Sequence, residues 1–373
     1  MIIRGAVLEA SGRSAPYAES EPIVIRDLEL DAPGPTELLV RIEAAGICHS
    51  DLSVVNGSRP RAVPLLLGHE AAGIVEAVGS DVTDIAPGRR VVLTFLPRCG
   101  QCAACATDGR APCIPGSAAN GEGRLLAGGK RLHDAGRVID HHLGVSAFAD
   151  HAVVDRRSVV PVDDDIPAEV AALLGCAVLT GGGAVINAAR LQPGESLAVV
   201  GLGGVGMAAV LAGLAVDGVE VIGVDAQPGK LETARQLGAT AADTPDQAAD
   251  AGVQADVVVE AVGRAVAFET ALALTAPGGR TVTVGLPDPH DLATVSPLHL
   301  VAGGRTVIGS YMGSSVPARD IPRFAALWRE GRLPVERLVS GHVDLDHLNA
   351  AMDALASGTA MRQIIRFDSP SAE

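Results

Sequence analysis

The sequence predicts an α/β protein of two parts, a β-rich unit and a doubly wound parallel sheet. Residues 1–160 break into short apolar runs (38–42, 72–78, 90–93) between turns such as Asp31-Ala32-Pro33-Gly34-Pro35 and Ala86-Pro87-Gly88. That is the pattern of strands joined by tight turns. From about residue 180, apolar strands at 197–200, 219–224, 257–260 and 281–284 alternate with helical segments near 204–215, 229–237 and 264–275. Such alternation implies parallel βαβ units. The tail beyond about 312 returns to mixed character and ends in a strand at 361–367. A chain of 373 residues divides naturally into two domains.

Composition narrows the class. Apolar residues make up 48% but aromatics only 2%, so the core must be built from Ala, Val, Leu and Ile. A net charge of −15 repels phosphate backbones and argues against nucleic acid as a partner. A zinc-finger nucleic-acid module also lacks its basic stripe. The N-terminus shows no apolar leader, so no secretory signal is expected. Residues 197–216 carry no charge and are long enough to span a membrane. However, Gly201, Gly203, Gly204, Gly206 and Gly213 lie within them, four of these in one loop pattern, so a buried strand-turn-helix is expected. The expectation is a soluble, cytoplasmic protein, in which cysteines serve as metal ligands or catalytic groups and not as disulfides.

The six cysteines fall into two patterns. Cys99, Cys102, Cys105 and Cys113 form C-x2-C-x2-C-x7-C. That spacing wraps backbone turns around one ion and suits four thiolates on a tetrahedral zinc, with an iron–sulfur cluster as the weaker metal reading. A closed four-thiolate site leaves no position for substrate, so its role is structural. Cys48 lies in Gly46-Ile47-Cys48-His49-Ser50-Asp51 and Cys176 in Leu174-Gly175-Cys176-Ala177, with Gly68-His69-Glu70 between them. Taken singly, each of these residues reads more readily as a buried structural side chain than as a ligand.

The second half holds Gly201-Leu202-Gly203-Gly204-Val205-Gly206 between an apolar strand and an apolar helix. In that context G-x-G-x-x-G is a dinucleotide loop. Gly201 permits the tight turn, Gly203 lets backbone approach the pyrophosphate, and Gly206 packs helix on strand. The helix start offers amide donors to phosphate. Asp225 stands nineteen residues past Gly206, at the end of the next strand. A carboxylate there accepts hydrogen bonds from ribose hydroxyls and repels a 2′-phosphate, which favours NAD over NADP. Ala226, next in the chain, adds no basic group.

Taken together, the segments around Cys48, His69 and Cys176, the four-cysteine lobe and Val199-Val200-Gly201-Leu202-Gly203-Gly204-Val205-Gly206 resemble the zinc-containing medium-chain alcohol dehydrogenase family. The match runs in order along nearly the whole chain. It implies a GroES-like catalytic domain at 1–177 and 312–373, with a structural zinc lobe at about 97–115, interrupted by a Rossmann NAD-binding domain at 178–311. It also implies two zinc ions per subunit and NAD as cofactor. By position, Cys48, His69 and Cys176 would hold a catalytic zinc that keeps one place open. Glu70 would lie just behind the ion, and Asp51 would hydrogen-bond the ring of His69 and set its tautomer.

The same resemblance places Thr180, Lys230, Arg362 and His49 at the cofactor. Lys230 would touch the adenosine ribose, and Arg362 and His49 the phosphates. Ser50 takes the hydroxyl position that relays the alcohol proton. Many relatives carry a histidine three residues later, but here that position is Ser53, which has no group titrating near neutral pH. Water or His49 would then end the relay. Phe95, His142, Leu286 and Tyr311 fall where substrate-contacting side chains sit. The implied reaction is reversible oxidation of a small alcohol to an aldehyde or ketone, with zinc as Lewis acid and hydride passing to the nicotinamide.

No nucleic-acid or membrane partner is implied. The long segment between Cys113 and Phe148 matches dimeric members, so a homodimer is expected, with a tetramer as the alternative. Two other readings stay open. One is an aldehyde reductase or thiol-adduct formaldehyde dehydrogenase on the same site, although the latter's charged anchors correspond here to Arg59 and Ser117. The other is a zinc- and NAD-binding regulator without turnover, against which the intact Cys48, His69, Cys176 and Ser50 set stands.

Overall fold

The strand Ile2–Leu8 pairs antiparallel with Ile23–Leu30 and begins a closed barrel in this computed structural model, which describes residues 1–367. The barrel continues through Leu132–Asp134 and Arg137–His141 and closes through Leu65–Leu66. Alternate residues face inward, and Ile3, Val7, Leu28, Leu30, Leu66, Leu132 and Ile139 form its core.

A second sheet of seven strands is built around Glu37–Ile47. That strand pairs with Ala71–Val78, His151–Asp155 and Gln363–Arg366. Its register sets Ile47 opposite Gln363, so the far end of the chain lies beside the residues leading into Cys48. The core beneath is aliphatic, with Leu38, Val40, Ile42, Val91 and Leu93 around Phe148, as the scarcity of aromatics requires.

In the second unit six parallel strands run in the order Ala241–Asp243, Glu220–Val224, Ser196–Val200, Ala255–Glu260, Thr275–Thr283, Thr306–Gly309. In chain order that is 3-2-1-4-5-6, the dinucleotide-binding arrangement whose ligands sit where the order reverses. The charge-free stretch 197–216 is here a buried strand, a glycine turn and the helix Gly204–Leu214, with almost every residue buried. Among the described residues no single helix is long and apolar enough to cross a membrane.

The chain divides into one unit of Met1–Thr107, Pro112–Cys176 and residues 339–367, and a second of Asp108–Ala111 and Ala177–Leu338. The later boundary departs from the expected 311/312, because residues 312–338 sort with the parallel sheet. Phe324 of the helix Pro317–Arg329 is fully buried, and a Cβ on Gly182 would come within 2.8 Å of its ring. Leu333, Val335 and Leu338 are buried as well. The tip of the cysteine loop follows the same unit, since Asp108 pairs with Arg319 at 2.6 Å.

Candidate active site

Three chain segments deliver the first cluster. Strand Glu37–Ile47 ends at Cys48, which caps the helix His49–Val55, while Cys176 follows the helix Ala168–Leu174. His69 follows the short strand Leu65–Leu66 through Gly68. Gly68 has φ +94°, and a Cβ there would lie 2.4 Å from the backbone nitrogen of Phe148, so only glycine turns the chain this way.

Donor atoms of Cys48, His69, Glu70 and Cys176 lie within 4.8 Å of one another, and all four residues are buried. Cys176 Sγ stands 3.4 Å from His69 Nε2. Two thiols, an imidazole and a carboxylate facing one point form a donor set that suits zinc. Glu70 Oε1 is fully buried and has no hydrogen-bond partner among the described residues. Arg362 meets only the other oxygen, and a cation in the cluster would offset the cost of burying this one.

Asp51 organises this cluster. It is fully buried, accepts the backbone N–H of Cys48 at 3.0 Å, and lies 2.9 Å from His69 Nδ1. Asp51 thereby holds a proton at Nδ1, so an ion that displaces the other proton would meet the Nε2 lone pair. Hydrogen bonding from Cys176 brings the Cys48 thiol well below its usual range, with Arg362 and His69 adding to the effect. The same contact, with burial, pushes Cys176 up. Burial works against a charged His69, but Asp51 raises it well above the ordinary imidazole value. Burial lifts Glu70 to about 7 against the pull of Arg362.

Arg362, expected at a pyrophosphate, reaches toward the first cluster. It is 2% exposed, and its guanidinium donates to Glu70 and to the carbonyl of Ile47, both at 3.2 Å. The antiparallel register of Gln363–Arg366 on Glu37–Ile47 carries it there, and in this position it is the counter-ion of Glu70. His142, expected on a substrate wall, is 2% exposed with Nδ1 3.2 Å from the same Asp51 oxygen that meets His69. Its ring and that of Phe95 pack edge-on against His69 at 5.5 and 5.6 Å.

Ser50 is half-buried, one residue beyond exposed His49 in the first turn of that helix. Ser53 donates its hydroxyl to the carbonyl of His49 at 2.8 Å, so it is committed to the helix backbone.

The four lobe cysteines also bring their sulfurs within 4.8 Å of one another. Backbone amides point at them: Cys99 N–H to Cys113 at 3.2 Å and Cys105 N–H to Cys102 at 3.4 Å. Amides of Ile114 and Cys105 bring Cys102 down to about 6, whereas burial pushes Cys113 up to about 12. Four convergent sulfurs, two of them met by N–H donors, match a closed tetrahedral thiolate site.

In the second unit, Gly201 follows the strand Ser196–Val200 with φ +93°. A Cβ on Gly206 would lie 1.8 Å from the carbonyl oxygen of Gly201, so helix and strand meet only through glycine. A Cβ on Gly203 would meet nothing within 4 Å, which leaves open space at the start of the helix Gly204–Leu214. No side chain caps that helix start, and its amides are available to an anion. Half-buried Val205 lies in the first turn. Asp225 accepts from the amides of Leu202 and Gln227 at 2.8 and 2.9 Å, and Lys230 stands 3.7 Å away. Thr180 is buried in the helix Ala177–Gly183, Leu286 is about half exposed, and Tyr311 opens a 3-10 turn.

Sequence reasoning missed the pairing of His142 with Asp51 and that of Arg362 with Glu70. No local pattern signals either, because each joins residues far apart in the chain that meet only in the folded structure.

Residues 34–164 match the family model of the alcohol dehydrogenase GroES-like domain, and residues 204–329 that of the zinc-binding dehydrogenases. A protein of Mycobacterium tuberculosis provisionally named alcohol dehydrogenase D is 36% identical over 94% of this chain and 97% of its own length. A crystal structure of an alcohol dehydrogenase zinc-binding domain protein from Burkholderia ambifaria is 34% identical, with TM-score 0.91 over 99% of this chain and all of the other. Benzyl alcohol dehydrogenase from Acinetobacter calcoaceticus is 29% identical, with TM-score 0.89 over the same shares. With a relative of that identity spanning nearly its whole length, the chain belongs to the zinc-containing medium-chain dehydrogenase family as an oxidoreductase of the alcohol dehydrogenase type.

Proposed function

We propose that the protein oxidises a small alcohol to an aldehyde or ketone, reversibly, with NAD as hydride acceptor and two zinc ions per subunit. The observation that carries this reading is the buried meeting of Cys48, His69 and Cys176, with His69 held by Asp51. Zinc held by these three residues would supply Lewis-acid polarisation of an alcohol oxygen. The lobe of Cys99, Cys102, Cys105 and Cys113 would hold the second, structural ion.

The protein's own groups do the rest. Asp51 fixes the ring of His69, and Arg362 balances the charge of Glu70. The Ser50 hydroxyl takes the alcohol proton and passes it to water or His49, because Ser53 is bonded to the backbone. Bound NAD would supply the hydride acceptor, so that alcohol and NAD⁺ balance against carbonyl compound, NADH and H⁺. Asp225 already accepts two amides, and its remaining lone pairs suit ribose hydroxyls.

A screen of NAD reduction over primary, secondary and aromatic alcohols, with and without a low-molecular-weight thiol, tests the reading. Turnover with free alcohols is expected, with NADP poorer by roughly tenfold or more because Asp225 faces its 2′-phosphate. Activity confined to thiol adducts, or none with any alcohol, would overturn it.

A homodimer is the assembly proposed. Thr306–Gly309 is the last strand of the parallel sheet and is largely exposed. The preceding helix Pro297–Gly303 exposes Leu298 and Val301 at 75% and 80%. An unpaired strand edge beside exposed apolar side chains suits self-pairing across a two-fold axis. Sedimentation should show a dimer at micromolar concentration, and Leu298→Glu with Val301→Glu should shift it to monomer. A monomeric parent protein would rule this out.

A further inference from the structure

A pocket is lined in part by Arg61, Asn120, Asp140, His141, His142 and Leu143. Two of these residues reach neighbours of the first cluster. His142 packs on His69, and Asn120 donates its amide nitrogen to the carbonyl of Phe95 at 2.7 Å, whose ring also packs on His69.

Three polar atoms of its lining residues are buried and have no hydrogen-bond partner among the described residues: Asn120 Oδ1, His141 Nδ1 and His142 Nδ1, the last turned toward Asp51 at 3.2 Å. Their chemistry can be assigned. Asn120 uses its nitrogen on Phe95, so the atom left over is the acceptor oxygen. His141 Nε2 accepts the backbone N–H of Arg131 at 3.1 Å, which puts the ring proton on Nδ1. Burial, with Arg131 and Lys130 nearby, lowers His141 to about 3, so the ring is neutral and Nδ1 is a lone donor. The charged groups are already engaged: Asp140 by Lys130 at 2.7 Å, and Arg61 by the carbonyl of Asn120 at 3.2 Å.

With His142 Nδ1 facing the Asp51 carboxylate, one unmatched donor and one unmatched acceptor remain, and they fit a group that both donates and accepts. A hydroxyl does so, whereas a carboxylate offers no donor to Asn120 and an ammonium no acceptor to His141. We infer that this pocket is a subsite for a second hydroxyl of the substrate, remote from the carbon that is oxidised, and that the preferred substrates are diols or hydroxylated alcohols. The inference rests on the alcohol-oxidising function proposed above and names its substrate class.

The test compares short α,ω-diols, monohydric alcohols and ω-hydroxy acids of matched chain length with the whole zinc-loaded protein. At one preferred length, kcat/KM for the diol should exceed that for the monohydric alcohol by at least about tenfold, since a site built to bond a hydroxyl discriminates against analogues lacking it. In His141→Leu and Asn120→Leu that ratio should fall toward one, whatever happens to the absolute rates. A readout without turnover is the rise in Tm at saturating ligand, which should be larger for the diol than for the monohydric alcohol in the parent and equal in the variants. Equal rates for diols and monohydric alcohols at every length would overturn the subsite and leave alcohol oxidation standing. Preference for the hydroxy acid would make the pocket an anion site and overturn it too. Absence of turnover with all three would remove the function on which it rests.

Discussion

Cys176→Ala is expected to lower kcat/KM on the order of 10³-fold or more while leaving NAD affinity within about twofold. The loss follows from removing one of three proposed ligands to a Lewis acid that contributes several kcal/mol to the barrier, where each ~1.4 kcal/mol is a factor of ten. The selectivity of the effect follows from placement. Cys176 belongs to the first unit, whereas Gly201, Gly206 and Asp225 belong to the second. Steady-state kinetics paired with cofactor titration by fluorescence would show both halves. A variant with parental kcat/KM would mean that this cluster does not hold the reactive centre. Metal analysis sharpens the experiment, because the variant should lose one of two zinc ions per subunit and keep the other.

Cys105→Ala should act on stability first. It removes one of four sulfurs that converge within 4.8 Å, and a tetrahedral thiolate site with three ligands binds its ion far more weakly. Binding energy at such a site is folding energy, so the loss should reach about 3 kcal/mol or more. For domains of this size that corresponds to a Tm lowered on the order of 6–12 °C. Parent protein stripped by a chelator should fall by a similar amount and recover when zinc is returned. A variant as stable as the parent would show that the lobe holds together without an ion.

The two cysteine-containing clusters are not equally legible in the sequence. The four lobe cysteines lie within fifteen residues, and their spacing alone closes a loop around one ion. Cys48, His69 and Cys176 are scattered, and no local pattern links them. Their reading came from family resemblance, and the tertiary structure then placed their donor atoms together. The glycine loop and Asp225 were legible because backbone geometry imposes them: a side chain at Gly206 would collide with the carbonyl of Gly201. The boundary at 311/312 rests on a change of local pattern, whereas residues 312–338 sort with the parallel sheet because Phe324 is buried there.

Alternation of strand and helix, the closely spaced cysteines and the glycine loop are local properties, and the chain states them wherever it is read. Arg362 on Glu70, His142 on Asp51 and the unmatched pair of Asn120 and His141 arise only after strand register and loop closure have set distant residues side by side. Hydrogen bonds and ion pairs act over a few ångströms of space and are indifferent to separation along the chain. The identity of the elements was therefore available in one dimension, and the partners of the buried polar groups only in three.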